Sequence, residues 1–122
     1  MPAEGTLEHL LAASSNCNVQ RLAADLPQKI LDRKADSDSV GHVYLIAEWK
    51  QWADTNPGVD VFPVNPSHLC QYLTHLVDCD GHEAAIAEVS KAMNWVHSLA
   101  GYISPVADPL VDTFLARLKG ES

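Results

Sequence analysis

The chain has 122 residues, with 16 acidic against 8 basic side chains and a formal net charge of −8. With 47% hydrophobic and 20% charged residues it can bury a core of its own, which excludes global disorder, and its length suits one domain. The acidic balance argues against a protein whose affinity comes mainly from coating phosphates with Lys and Arg.

No apolar run approaches the roughly 20 residues that a bilayer-spanning helix needs. The opening Met1-Pro2-Ala3-Glu4-Gly5 lacks the basic stretch and apolar core of a signal peptide. Three cysteines, an odd number, fit a reducing compartment better than a disulfide-stapled secreted fold. The expectation is an intracellular protein, nuclear or cytoplasmic, with no membrane partner.

Seven prolines and six glycines punctuate the chain, and between them the apolar spacing is helical. Val59-Asp60-Val61-Phe62 comes nearest to a strand, and proline closes it at once. The predicted fold is all-α, a compact bundle of about five to six helices.

A first short helix is predicted over Thr6 to Ala13, with Thr6 as cap and Leu7, Leu10 and Leu11 on one face. A second starts near Asn18 and carries Val19, Leu22, Ala23, Leu26 and Ile30, with Pro27 kinking or splitting it. Asp32 to Ser39 reads as a polar linker ending in cap residues. The third helix, Ser39 to Asp54, bears Val43, Ile46, Ala47, Trp49 and Trp52, and Thr55-Asn56-Pro57-Gly58 stops it. Asn65 is placed as an N-cap, with Pro66 in the first turn of a fourth helix reaching Val77. Asp78-Cys79-Asp80-Gly81 breaks the pattern. A fifth helix follows over His82 to Ala100, stopped by Gly101, and a sixth over Pro109 to Leu118.

The densest polar cluster is His68, Cys70, His75, Cys79 and His82. At 100° per residue His68, Tyr72, His75 and Cys79 share a stripe, and His82 follows the break, so His68, His75, Cys79 and His82 form a candidate zinc set. No pair has zinc-knuckle spacing, and any amphipathic helix generates such a stripe, so no metal or other cofactor is expected. Nucleophile elbows and phosphate-cradling glycine loops are missing from the sequence, which gives no sign of catalysis. Trp49 and Trp52 read as core anchors. Between Ser37 and Asp80 the only basic residue is Lys50, against Asp38, Glu48, Asp54, Asp60, Asp78 and Asp80.

Tyr44-Leu45-Ile46-Ala47-Glu48-Trp49-Lys50-Gln51-Trp52-Ala53, then Pro63-Val64-Asn65-Pro66-Ser67 with Cys70, Tyr72-Leu73 and Leu76, form an ordered set. Met93-Asn94-Trp95-Val96-His97-Ser98-Leu99-Ala100-Gly101 and Ser104-Pro105-Val106-Ala107-Asp108-Pro109-Leu110-Val111 continue it. Together these segments resemble the SAM-like core-binding domain of tyrosine recombinases, the phage-integrase family, and most of all the recombinase-like sequences of animal genomes. The resemblance runs from about Lys34 to Gly120. It implies a core-binding domain over 34–122 preceded by a helical extension over 1–33.

What the resemblance implies is a helical domain that clamps one face of duplex DNA while a separate domain cuts and rejoins it. The family's catalytic Arg-Lys-His-Arg-Tyr set has no counterpart here, so no enzyme activity is expected. The resemblance turns the helix start with Ser37, Ser39 and His42 towards DNA. The positive charges available to meet phosphate are Lys50, Lys91, Lys119 and the Arg33-Lys34 pair. Where the family places a Thr and basic residues at the third helix start, this chain has Asp38 and Val40-Gly41. An Asp stabilises a helix start but repels a phosphate approaching the same amides. The functional expectation is a domain that clamps duplex DNA weakly. The alternative is a helical interaction domain that keeps the fold, has lost DNA, and binds a protein partner or itself.

Overall fold

In the computed structural model, which describes residues 5–80 and 83–120, the described residues form an all-α bundle of seven helices. They are α1 (Leu7–Ala13), α2 (Cys17–Arg21), α3 (Gln28–Leu31), α4 (Ser37–Asp54), α5 (Pro66–Asp80), α6 (Glu83–Ala100) and α7 (Pro109–Gly120). Short 3₁₀ turns lie at Leu22–Ala24 and Pro105–Ala107. The count exceeds the expected five to six because the second predicted helix divides: the 3₁₀ turn ends it, and Pro27 then opens α3 as its N-cap in extended conformation.

Side-chain caps set most of the helix starts. The Thr6 hydroxyl accepts from the His9 N–H at 3.2 Å, and the Asn16 side chain accepts from the Asn18 and Val19 amides at 2.9 and 3.2 Å. Asn65 accepts from Ser67 at 2.8 Å ahead of Pro66, as its sequence position predicts. Helix α4 begins two residues before the expected Ser39, because Asp36 closes a capping box with Ser39. Helix α5 runs three residues past the expected Val77. Asp78 and Cys79 carry modest helix penalties, and no glycine or proline intervenes before Gly81. Gly81 and His82, and so the predicted break and helix start there, lie outside the described residues. Helix α6 ends at Gly101, whose φ of 79° lets the Tyr102 N–H reach back to the His97 carbonyl at 3.0 Å.

Helix α4 is central and packs on α6 and α2, while α5 packs on α7 and α6. One core runs through the bundle. Leu7, Leu11, Val19, Leu22 and Ile30 from the N-terminal segment join Trp49, Leu69, Leu73, Met93, Val96 and Val111 at 0–1% exposure. Burying each such aliphatic side chain contributes about 1.5–3 kcal/mol relative to exposure. Residues 5–33 therefore pack as part of the bundle rather than trailing from it. The Leu7 N–H donates to the Arg33 carbonyl at 2.8 Å and the Ala35 N–H to the Gly5 carbonyl at 2.6 Å, which fastens this segment beside the α4 start.

Two side chains hold the long loop between α4 and α5. The fully buried Trp49 donates its indole N–H to the Val61 carbonyl at 2.9 Å and meets the edge of Tyr72 with ring centroids 5.4 Å apart. His97 receives the Val64 N–H on Nε2 at 3.0 Å. Its Nδ1 lies 2.8 Å from the Met93 carbonyl, so the ring is a neutral Nδ1–H tautomer that donates there. Burial holds the imidazole below its ordinary pKa, with the Met93 bond opposing that shift.

Candidate nucleic-acid interface

The start of α4 fixes the geometry of the face that the resemblance turns towards DNA. The Asp36 carboxylate accepts from the Ser39 amide at 3.0 Å and from the Ser39 hydroxyl at 3.0 Å, while the Asp36 amide donates to the same hydroxyl at 3.2 Å. These bonds to Ser39 hold the Asp36 carboxyl below the usual carboxylate range. They also consume one of the free amides a phosphate would seek at a helix start.

One turn on, α4 and α6 border an open cleft of about 430 Å³, lined by Ser37, Asp38, Gly41, His42 and Leu45 from α4 and by Glu88 and Lys91 from α6. The His42 ring lies 5.1 Å from that of Trp95, centroid to centroid, which positions the imidazole against α6. Lys91 is exposed and sits 3.4 Å from Glu88. Ser37, His42 and Lys91, expected on this face, thus meet in one cleft. They share it with two carboxylates, Asp38 and Glu88.

Two expected contacts do not belong to this surface. Lys50 is 5% exposed. Its ammonium pairs with Asp25 and lies 3.6 Å from Asp54, which Arg21 also contacts at 3.1 Å. The cause is helical geometry: the 3.6-residue period puts position 50 on the face that carries Val43, Ile46, Ala47 and Ala53 inward. Lys50 ties the N-terminal segment to α4. Ser39 is likewise buried, at 1% exposure, with its hydroxyl spent in the capping box.

The candidate zinc stripe is only partly assembled. His75 and Cys79 stand one turn apart, with both ring nitrogens 3.8 Å from Sγ. His68 is half-buried, and its Nδ1 is enclosed without a hydrogen-bond partner. Among the described residues no three His, Cys, Asp or Glu side chains converge as a metal site; His82 lies outside them. No helix among the described residues is long and apolar enough to cross a membrane.

A second concavity was not foreseen from the sequence. It lies between α4 and α5, where Trp52 stacks on Trp49 at 5.6 Å and meets Tyr72 at 5.4 Å and His75 at 6.4 Å. Burial, with a smaller effect of the Glu48 charge, pushes the Tyr72 phenol well above its usual pKa. The available signal was the spacing of Glu48, Trp52, Tyr72 and His75, with Trp52 outside the buried stripe of α4.

The chain matches no family model, no curated protein and no solved structure.

Proposed function

We propose that this chain is a non-catalytic DNA-docking module of the tyrosine-recombinase core-binding type, meeting duplex DNA weakly through the α4–α6 cleft. The observation that carries this reading is the convergence of Ser37, His42 and Lys91 on that cleft. Lys91 is more than 40 residues from Ser37 and His42 in sequence. The two α4 residues were expected at DNA from the resemblance, and Lys91 as one of the few positive charges available to meet phosphate. Lys91 supplies a phosphate contact, and Ser37 offers a hydroxyl beside it. Asp38 and Glu88 set the ceiling on affinity through repulsion. Three unpaired cysteines, Cys17, Cys70 and Cys79, support an intracellular setting, nuclear or cytoplasmic.

Fluorescence anisotropy with a long labelled duplex at 50 and 200 mM salt tests the reading. One or two phosphate contacts give a loss of roughly 3- to 12-fold in affinity across that range. No binding at 50 mM salt would refute it.

A second reading, a helical domain for protein partners or self-association, has its own support. The burial and neutralisation of Lys50 remove one of the few positive charges from the DNA reading. Exposed apolar side chains, Ile103 at 89% and Leu110 at 51%, supply surface that a protein partner would cover. Sedimentation of the chain alone, showing dimer at micromolar concentration, would favour self-association.

A further inference from the structure

The concavity between α4 and α5 holds about 410 Å³ and is lined by Glu48, Gln51, Trp52 and Thr55 from α4 and by Tyr72, His75 and Leu76 from α5. Tyr72, 2% exposed, forms its floor. Trp52 is half-buried, and His75 and Glu48 are exposed at its sides. Glu48 is the one carboxylate among the lining residues, and no Lys or Arg faces it there. Among the described residues the ion pairs involve Arg21, Lys50 and Lys91 with Asp25, Asp54 and Glu88, so Glu48 keeps an uncompensated charge.

Aromatic faces carry a negative quadrupole, and a carboxylate beside them adds a full charge, so the chemistry of the concavity selects a cation. Its open shape selects which one. An ammonium holds its hydration shell tightly and gains little from a site that does not enclose it. A guanidinium is planar, less strongly hydrated, stacks on indole or imidazole and pairs with a carboxylate through two N–H groups. We propose that this concavity binds an arginine side chain from a basic segment of a partner protein, with the guanidinium stacked on Trp52 and paired with Glu48. The site shares no lining residue with the α4–α6 cleft, so it stands independently of the DNA reading.

The test follows the Trp52 indole N–H resonance of the isotope-labelled full chain during titration with the peptide acetyl-Gly-Arg-Gly-amide. A saturable shift at millimolar peptide is expected. Glu48→Gln weakens binding about two- to fivefold, the range of an exposed ion pair, and Glu88→Gln, in the other cleft, leaves it unchanged. The citrulline peptide, of the same shape without the charge, does not bind, and the lysine peptide binds more weakly than the arginine one. An unmoved Trp52 resonance would overturn the proposal. So would equal binding of the citrulline or lysine peptide, or an equal loss from Glu88→Gln and Glu48→Gln, which would mean diffuse attraction to an acidic chain.

Discussion

The Nε2 atom of His97 accepts the Val64 N–H at 3.0 Å, in a position where the histidine is 1% exposed. This bond closes the loop after α4 onto α6, and it exists only while Nε2 is unprotonated. The unfolded chain takes up a proton here that the folded chain resists. Stability from this group is therefore full above about pH 6.5 and falls as the pH drops below it. The loss is expected at up to about 1.4 kcal/mol per pH unit, read from urea midpoints between pH 8 and 5. His97→Ala should cost about 1–3 kcal/mol at pH 8 by leaving the Val64 amide unpaired, and should flatten the acid limb. An unchanged acid limb in that variant would show that the sensitivity lies elsewhere.

Lys50 and its carboxylates give an asymmetric pair of expectations. Asp25→Ala leaves a buried ammonium with Asp54 alone at 3.6 Å and should destabilise by about 2–3 kcal/mol. Lys50→Met keeps the volume and removes the buried charge, and Asp25 and Asp54, at 27% and 35% exposure, remain hydrated. That variant is expected within about 1 kcal/mol of the parent, or more stable. Denaturant midpoints decide it, and equal losses in both variants would contradict the account.

DNA affinity should respond to the cleft and ignore the core. Lys91→Glu is expected to abolish binding at 50 mM salt, whereas Lys50→Met leaves the anisotropy curve in place. The double change Asp38→Thr with Gly41→Lys is expected to tighten binding about tenfold at low salt, by removing one anion and adding one cation at the cleft. Position 41 has room for the new side chain, since a Cβ on Gly41 would meet nothing within 4 Å. Replacing a mid-helix glycine also stabilises α4 by up to about 1 kcal/mol. Greater stability with unchanged affinity would separate the fold from the DNA reading.

The capping box at the α4 start should be cooperative. Ser39→Ala removes the acceptor for the Asp36 amide and is expected to cost about 0.5–1.5 kcal/mol. Because the bonds to Ser39 hold the Asp36 pKa down, the cap is fully made at neutral pH and is lost as the pH falls through that lowered value. In Ser39→Ala the acid-dependent part contributed by Asp36 should shrink. Thermal melts at pH 7 and pH 3 measure both effects.

Helix identity was legible in the chain wherever a local signal was strong. Thr6, Asn65-Pro66 and Gly101 are each a cap or stop whose physics acts within a few residues, and the structure puts them where those rules require. The boundaries that moved were decided by competition. Asp36 and Ser39 form a reciprocal cap that advances the α4 start, and Asp78 and Cys79 were too mild as breakers to end α5.

The site was legible less evenly. Ser37 and His42 came from the resemblance and Lys91 from the short supply of positive charge, and the three do share one cleft. Lys50 and Ser39 belong to the same helix but point inward. A charged residue in a helical window reads as exposed by default, and only a partner distant in sequence, such as Asp25, makes its burial tolerable. The Trp52 concavity escaped because core and surface aromatics have the same local spacing.

By itself the sequence determined that the chain is all-α, where most helices start and stop, and that it carries a charge of −8. These follow from local periodicity, capping and composition. Only the tertiary structure decided where that charge acts. It spent Lys50 on Asp25 and Asp54 inside the bundle, packed residues 5–33 into the common core, set Asp38 and Glu88 beside Lys91, and left Glu48 uncompensated beside Trp52. Each is a pairing between residues remote in sequence, fixed by how buried helix faces meet, and no local rule reaches that far.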